Sequence, residues 1–348
     1  MDLSGVTRPV VVPARVDPTG AAGPTHAATR SAAWRRSSRG FYVPADVDGT
    51  ALAQRIVEAA VALPPGPSGV TGWAAIAWLG GRWFDGTPWG GGRVRPVTLA
   101  VGGNRAIRGQ PKHFATSEER LDPRDVIVVD GLPVTTAVRS VCFEMRYAAS
   151  DRDAATTLSM ACFNDLVSLD EVDTHLAGLN GWRGVPRARA GRRLAGENLW
   201  SPQEAAMSYV WTLDAGFGPV LGNQPVFDLD GSHVGTPDLL DEEAGVAGDY
   251  NGRPHHIGDD QRHHDLDREA KFRAVGLEYV TMVAADSRDP TAFVRRLEQT
   301  YDRAADLPPH RKRWTIEPPP WWRPTTTVAA RRALDDHWRA RLLRHRVA

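Results

Sequence analysis

At 348 residues the chain exceeds the usual size of one domain, so two globular units are the starting expectation. Its 42 Lys and Arg balance 42 Asp and Glu, which excludes a global field drawing it to nucleic acid or to a membrane; any polyanion site must be local. With 42% hydrophobic and 24% charged residues the composition is that of a folded protein, not a disordered one.

The opening MDLSGVTRPVVVP has no basic stretch leading into an apolar core, and no apolar run is long enough to span a bilayer, so a cytoplasmic protein without a membrane partner is expected. Cys142 and Cys162 match neither a zinc pattern nor a disulfide framework and read as buried free thiols. The 12 tryptophans are scattered and serve as core anchors.

Residues 1–30, rich in Pro, Gly, Ala and Thr, read as a poorly ordered arm. WRRSSRGFYVP, Trp34 to Pro44, alternates like a strand entered through a turn at Gly40, and Arg35, Arg36 and Arg39 crowd it: a phosphate-touching wing, or a charged edge strand. Thr50 to Leu63 and Gly69 to Leu79 read as amphipathic helices. The glycine-dense WLGGRWFDGTPWGGGR lacks the GK[ST] ending of a phosphate cradle and reads as a loop. Strands follow at Pro96 to Val101 and Asp125 to Val129, then an Asp130-Gly131 turn and a threonine-capped helix in LPVTTAVRSVCFEM. Helices fit Ala154 to Leu166 and Ser168 to Ala177, the second opening on a Ser168/Glu171 capping box. GWRGVPRARAGRRLAGEN then sets Arg183, Arg187, Arg189, Arg192 and Arg193 before the first acid, Glu197; this is either a solvated linking helix or a phosphate-tracking surface.

From Ser201 the pattern tightens: a helix from Pro202 to Ala215, a three-stranded meander over Gln224 to Leu229, on to Leu240, and Val246 to Tyr250, a helix from about Asp259 to Val275, a strand in LEYVTMVA and a helix from Thr291 to Ala304. Beyond Leu307, HRKRW, PPPWWRP and an arginine-rich stretch read as a basic appendage. The expected organisation is therefore an arm (1–30), a mainly helical α+β regulatory domain (31–197), a compact α/β domain (198–308) and a tail (309–348).

In the compact domain Asp238 and Asp249 fall on adjacent strands, and alternation puts Ala247, Asp249 and Asn251 on one face. Two converging carboxylates offer hard ligands to Mg²⁺ or Mn²⁺, which would activate water and stabilise phosphoryl charge. Glu204 can join them, although SPQE is also a complete capping box, with Ser201 at the N-cap and proline next. The neighbouring His256, His263 and His264 meet no zinc template.

SPQE, PDLL around Asp238, DYNG at 249–252, His255 three residues after the glycine, Gln261, Asp265, Arg268 and KFRAVGLEYVTM occur in an order that resembles the restriction-endonuclease-like PD-(D/E)xK domains, in the group related to very-short-patch repair endonucleases. The resemblance covers Ser201 to about Ala304. It implies a mixed sheet flanked by helices and a metal-dependent DNA endonuclease, with Asp238 and Asp249 as metal acids, Glu204 as the helix acid and His255 as proton shuttle or phosphate contact. Asn251, Asp265 and Arg268 would be support residues. That group typically reads EYDG where this chain reads DYNG: aspartate at 249 shortens the carboxylate's reach by ~1.5 Å, and Asn251 removes a negative charge. Both weaken Mg²⁺ binding, so the alternative is a non-catalytic DNA-binding or antitoxin-like regulator on the same scaffold. WRRSSRGFYVP, TGWAAIAWLGG and GLPVTTAVRSV look similar to type IV abortive-infection antitoxins. That likeness implies a DNA-contacting wing bearing Arg35, Arg36 and Arg39, and a protein partner in a toxin-antitoxin setting. Arg187, Arg189, Arg192 and Arg193 complete the expected nucleic-acid contacts.

Overall fold

The computed structural model describes residues 3–103, 107, 113–252 and 259–346, with the side chains of 259–265 and 345 left out. Its contacts divide the chain into two compact units, Met1–Tyr147 with His175–Arg183, and Ala148–Thr174 with Gly184–Ala348. Both combine helices with mixed sheets, so the protein is α+β. The division does not follow the expected boundary at residue 197.

In the first unit, β1 (Ala14–Arg15), β2 (Trp34–Ser38) and β3 (Phe41–Pro44) form a three-stranded antiparallel sheet in the order β1-β3-β2. The hairpin expected at Gly40 is present, and a strand from the supposed arm adds to it. That arm is anchored elsewhere too: Leu3 is buried, and the Thr7 amide donates to the Asp130 carbonyl at 3.2 Å. After α1 (Leu52–Ala60) comes β4 (Gly69–Thr71), then α2 (Trp73–Trp78). The helix expected from Gly69 is therefore a strand that turns into a helix. Gly72, at φ +63°, makes the turn, and the Glu144 carboxylate caps the Trp73 amide at 2.9 Å. β5 (Val97–Ala100), β6 (Phe114–Ser117), β7 (Val126–Val129) and β8 (Leu132–Thr135) complete a mixed sheet in the order β6-β5-β4-β8-β7, followed by α3 (Ala137–Tyr147).

The second unit begins with α4 (Asp151–Phe163); α5 (Leu169–Ala177), whose last three residues count with the first unit, opens on the expected box, with Ser168 and Glu171 exchanging amide bonds at 2.7 and 3.1 Å. α6 (Val185–Leu194) buries Val185, Ala188 and Gly191 and packs on α4. α7 (Pro202–Tyr209) runs into a π turn at Val210–Asp214. The strands β9 (Leu221–Gly222), β10 (Val226–Asp228), β11 (His233–Gly235), β12 (Leu239–Asp241) and β13 (Val246–Asn251) precede α8 (Asp259–Ala274), β14 (Glu278–Val283) and α9 (Thr291–Ala305).

The expected meander is in fact split between two sheets. β10 and β11 pair with β15 (Trp314–Thr315), while β12 joins the mixed sheet β14-β13-β12-β9. The break falls at Thr236–Asp238, where Pro237 has no amide to donate to a ladder. β13 runs parallel to β14 and antiparallel to β12. Ala247 faces Phe272, Leu277, Tyr279 and Trp314 in one core, while a side chain at Gly248 would lie 2.7 Å from Trp211, so glycine lets α7 and its π turn close on the other face.

The tail belongs to this unit. Beyond β15, α10 (Val328–Arg332) and α11 (Asp336–Leu342) are held by Arg331, fully buried, which donates to Asp165 Oδ1 (2.7 Å) and to the carbonyls of Cys162, Glu197 and Thr325. Both cysteines are free and buried. No helix among the described residues is long and apolar enough to cross a membrane.

Candidate functional site

The acids singled out in the sequence come together where β12 and β13 meet the start of α7. Asp238 sits just before β12 and Asp249 within β13. The two are laced by their own backbones: the Asp238 amide donates to Asp249 Oδ1 at 2.9 Å, and the Tyr250 amide to Asp238 Oδ2 at 2.7 Å. Glu204, 7% exposed, lies in the first turn of α7. Burial raises its pKa, with Asp249 adding like-charge repulsion. Asp238 is pushed up to about 8 by burial, then by the carboxylates of Glu204 and Asp249. Glu204 and Asp249 thus sit close enough to oppose the ionisation of Asp238, and Asp249 that of Glu204.

Their remaining valences are largely taken. The Glu204 amide donates to Ser201 Oγ at 3.1 Å, as the capping box requires. The Glu204 carboxylate accepts from Ser201 Oγ (3.0 Å), the Trp200 amide (2.7 Å) and Asn223 Nδ2 (2.6 Å). Its reach back ends on Trp200, one residue before the N-cap.

Asp249 is more fully committed. Arg268, projecting from α8, places Nε on Asp249 Oδ2 and an Nη on Oδ1 at 3.2 Å, while its guanidinium also donates to the Thr236 carbonyl at 2.6 Å. The Tyr279 hydroxyl donates to Asp249 Oδ2 as well. Burial opposes the charge on Arg268, yet the Asp249 carboxylate holds its pKa above the ordinary arginine value. For Tyr279, burial and then Asp249 raise the phenol. Asp238 Oδ1 is left as the one oxygen of the Asp238 and Asp249 pair with no hydrogen bond among the described residues.

A divalent cation does not fit this donor set as arranged. Mg²⁺ needs near-octahedral oxygen ligands with several positions open, and Asp249 has both oxygens on a guanidinium. Among the described residues no group of three or more His, Cys, Asp and Glu is disposed to hold a metal ion. His255 lies outside the described residues, as does the side chain of Asp265, although its backbone is in α8. Asn251 ends β13 on the face expected for it, half-buried.

The arginines proposed to contact nucleic acid divide into two kinds. Arg35 is inward, bidentate to Glu58 at 2.7 and 2.8 Å, a structural ion pair that its spacing did not reveal. Arg192 donates to Asp173 at 2.6 Å, and Arg187 to the Ala148 carbonyl at 2.7 Å. Arg36 and Arg39 are exposed at the β2–β3 hairpin, and Arg189 and Arg193 are exposed one turn apart on α6.

Sequence reasoning placed Arg268 beside the site without its role as counter-ion, and it missed Tyr279. The signal for Tyr279 was alternation in β14, but only the parallel register, Ala247 opposite Tyr279, puts that ring on the face of Asp249. Compared with known proteins, the chain matches no family model, no curated protein and no solved structure.

Proposed function

We propose that the second unit is an endonuclease-like scaffold that works without a metal, and that the protein is a non-catalytic DNA-binding or antitoxin-like regulator. The observation that carries this reading is the double engagement of Asp249 by Arg268: a fixed guanidinium supplies the positive charge that a divalent cation would bring to the carboxylates. Aspartate at 249 and asparagine at 251 support it, since both reduce what the site can offer a metal. The exposed pairs Arg36/Arg39 and Arg189/Arg193 supply local positive charge for phosphate contacts on a chain with no net charge.

A second reading, Mg²⁺- or Mn²⁺-dependent DNA cleavage, has one observation in its favour: burial, with the carboxylates of Glu204 and Asp249 adding to it, lifts Asp238 to about 8, and a divalent cation would relieve the repulsive part. It requires Arg268 to leave Asp249. Incubating the full chain with supercoiled plasmid and with single-stranded DNA in Mg²⁺ or Mn²⁺, alongside DNA-binding anisotropy, separates the readings. The scaffold reading expects binding without nicking. Metal-dependent nicking abolished by Asp238→Ala overturns it in favour of the nuclease.

A further inference from the structure

The first unit carries an arginine-lined cleft that the endonuclease-like site does not account for. It lies along α1 and the segment entering β5, encloses about 590 Å³, and is lined by Thr50, Arg55, Glu58, Arg93, Arg95 and His113 among others. That volume is in the range of small-molecule sites, about 300–1,000 Å³.

Charge decides what it suits. Two of its lining charges are already spent within the unit: Glu58 on Arg35 at 2.7 Å and Arg95 on Glu144 at 2.6 Å. Arg55 and Arg93 form no ion pair with a carboxylate among the described residues. Arg55 is half-buried and fixed, its guanidinium donating to the carbonyls of Asp85 (2.9 Å) and Arg95 (3.1 Å) and lying over the Trp73 ring at 5.0 Å. Burial lowers its pKa, and the Asp85 carboxylate offsets part of that. The nearby acids are held by their own loops and keep their charge: Asp85 accepts from the Thr87 amide (2.7 Å), and Asp48 from Thr50 (2.6 and 2.8 Å). Gly49 and Thr50, at the mouth, lead into α1, whose first turn has neither a side-chain cap nor an acid.

We infer that this cleft binds a small phosphate-bearing ligand, of mononucleotide size, with Arg55 and Arg93 as its charge contacts. A phosphomonoester brings three acceptor oxygens and about −1.5 to −2 of charge at neutral pH, enough to engage both guanidiniums at once. Arg55, held beneath by two carbonyls and the indole, is pre-organised to present its remaining donors.

Calorimetric titration of the full chain with AMP, with inorganic phosphate and with a single-stranded oligonucleotide tests the assignment, repeated on Arg93→Ala and Arg55→Met after thermal melts. AMP and phosphate should bind saturably, and AMP should bind at least tenfold more weakly to Arg93→Ala, a surface change that leaves folding intact. Arg55→Met should lose AMP binding; should it fail to fold, Arg93→Ala decides. Absence of saturable AMP and phosphate binding to the wild type, or unchanged AMP affinity in Arg93→Ala, overturns the inference. Oligonucleotide binding without AMP binding also overturns it and assigns the surface to a polymer.

Discussion

Asp238 is the residue at which the cost of the carboxylate cluster can be read directly. Its folded pKa, about 8, lies above the ordinary aspartate value of 3.8, so between these limits the folded state binds the extra proton. Linkage then gives the sign: stability from this group is full below about pH 4 and is lost as pH rises toward 8. Asp238→Asn keeps an acceptor for the Tyr250 amide and removes the titration. Its melting temperature should vary less between pH 5 and 8 than that of the wild type and exceed it at pH 8. A parallel pair of pH profiles would contradict the account. Gly248 makes a second prediction at this scale. A methyl group there meets Trp211 at 2.7 Å and Met207 at 2.9 Å, so Gly248→Ala should cost about 1–3 kcal/mol of unfolding free energy in denaturant titrations. The acids themselves were legible in the sequence because strand alternation and a capping box are local patterns. Arg268 as counter-ion and Tyr279 as donor were not, since both reach Asp249 from elements distant in sequence.

At the scale of elements, the helices with explicit N-terminal caps were readable, α5 and α7 among them. Where the reading failed, long-range pairing overrode local pattern. Gly69–Thr71 has helical-looking neighbours but is a strand because β5 and β8 flank it. The run after Gly231 divides because Pro237 interrupts it and the two halves find different partner strands. The tail misled in the same way: its arginine richness reads as a solvated appendage, yet Arg331 is fully buried on Asp165 and three carbonyls, while Arg339 also reaches Asp165 at 3.2 Å. Composition cannot distinguish a buried arginine from an exposed one. Arg331→Ala takes the buried donor from Asp165 Oδ1 and from all three carbonyls, leaving Asp165 to Arg339 alone among its close hydrogen-bond donors, which should cost about 3–5 kcal/mol. Limited proteolysis should then cut between Thr315 and Val328 well before the wild type is cut there; equal cleavage rates would show that α10 is not an anchored element.

For the whole molecule, balanced charge means that the proposed affinity for DNA would have to come from a few exposed arginines rather than from a general field. On the proposed reading, Arg189→Ala with Arg193→Ala should weaken DNA binding and reduce its salt slope by roughly 2. A slope identical to that of the wild type would remove α6 from the interface. The sequence resemblance pointed to a metal-dependent nuclease, and the geometry turns on whether Arg268 holds the charge that a metal would. Isothermal titration of Mn²⁺ into the full chain, beside Asp238→Ala, addresses that point most directly. The scaffold account predicts no saturable binding in either protein; saturable binding to the wild type that disappears in Asp238→Ala would contradict it, and would show that the cluster opens to a cation.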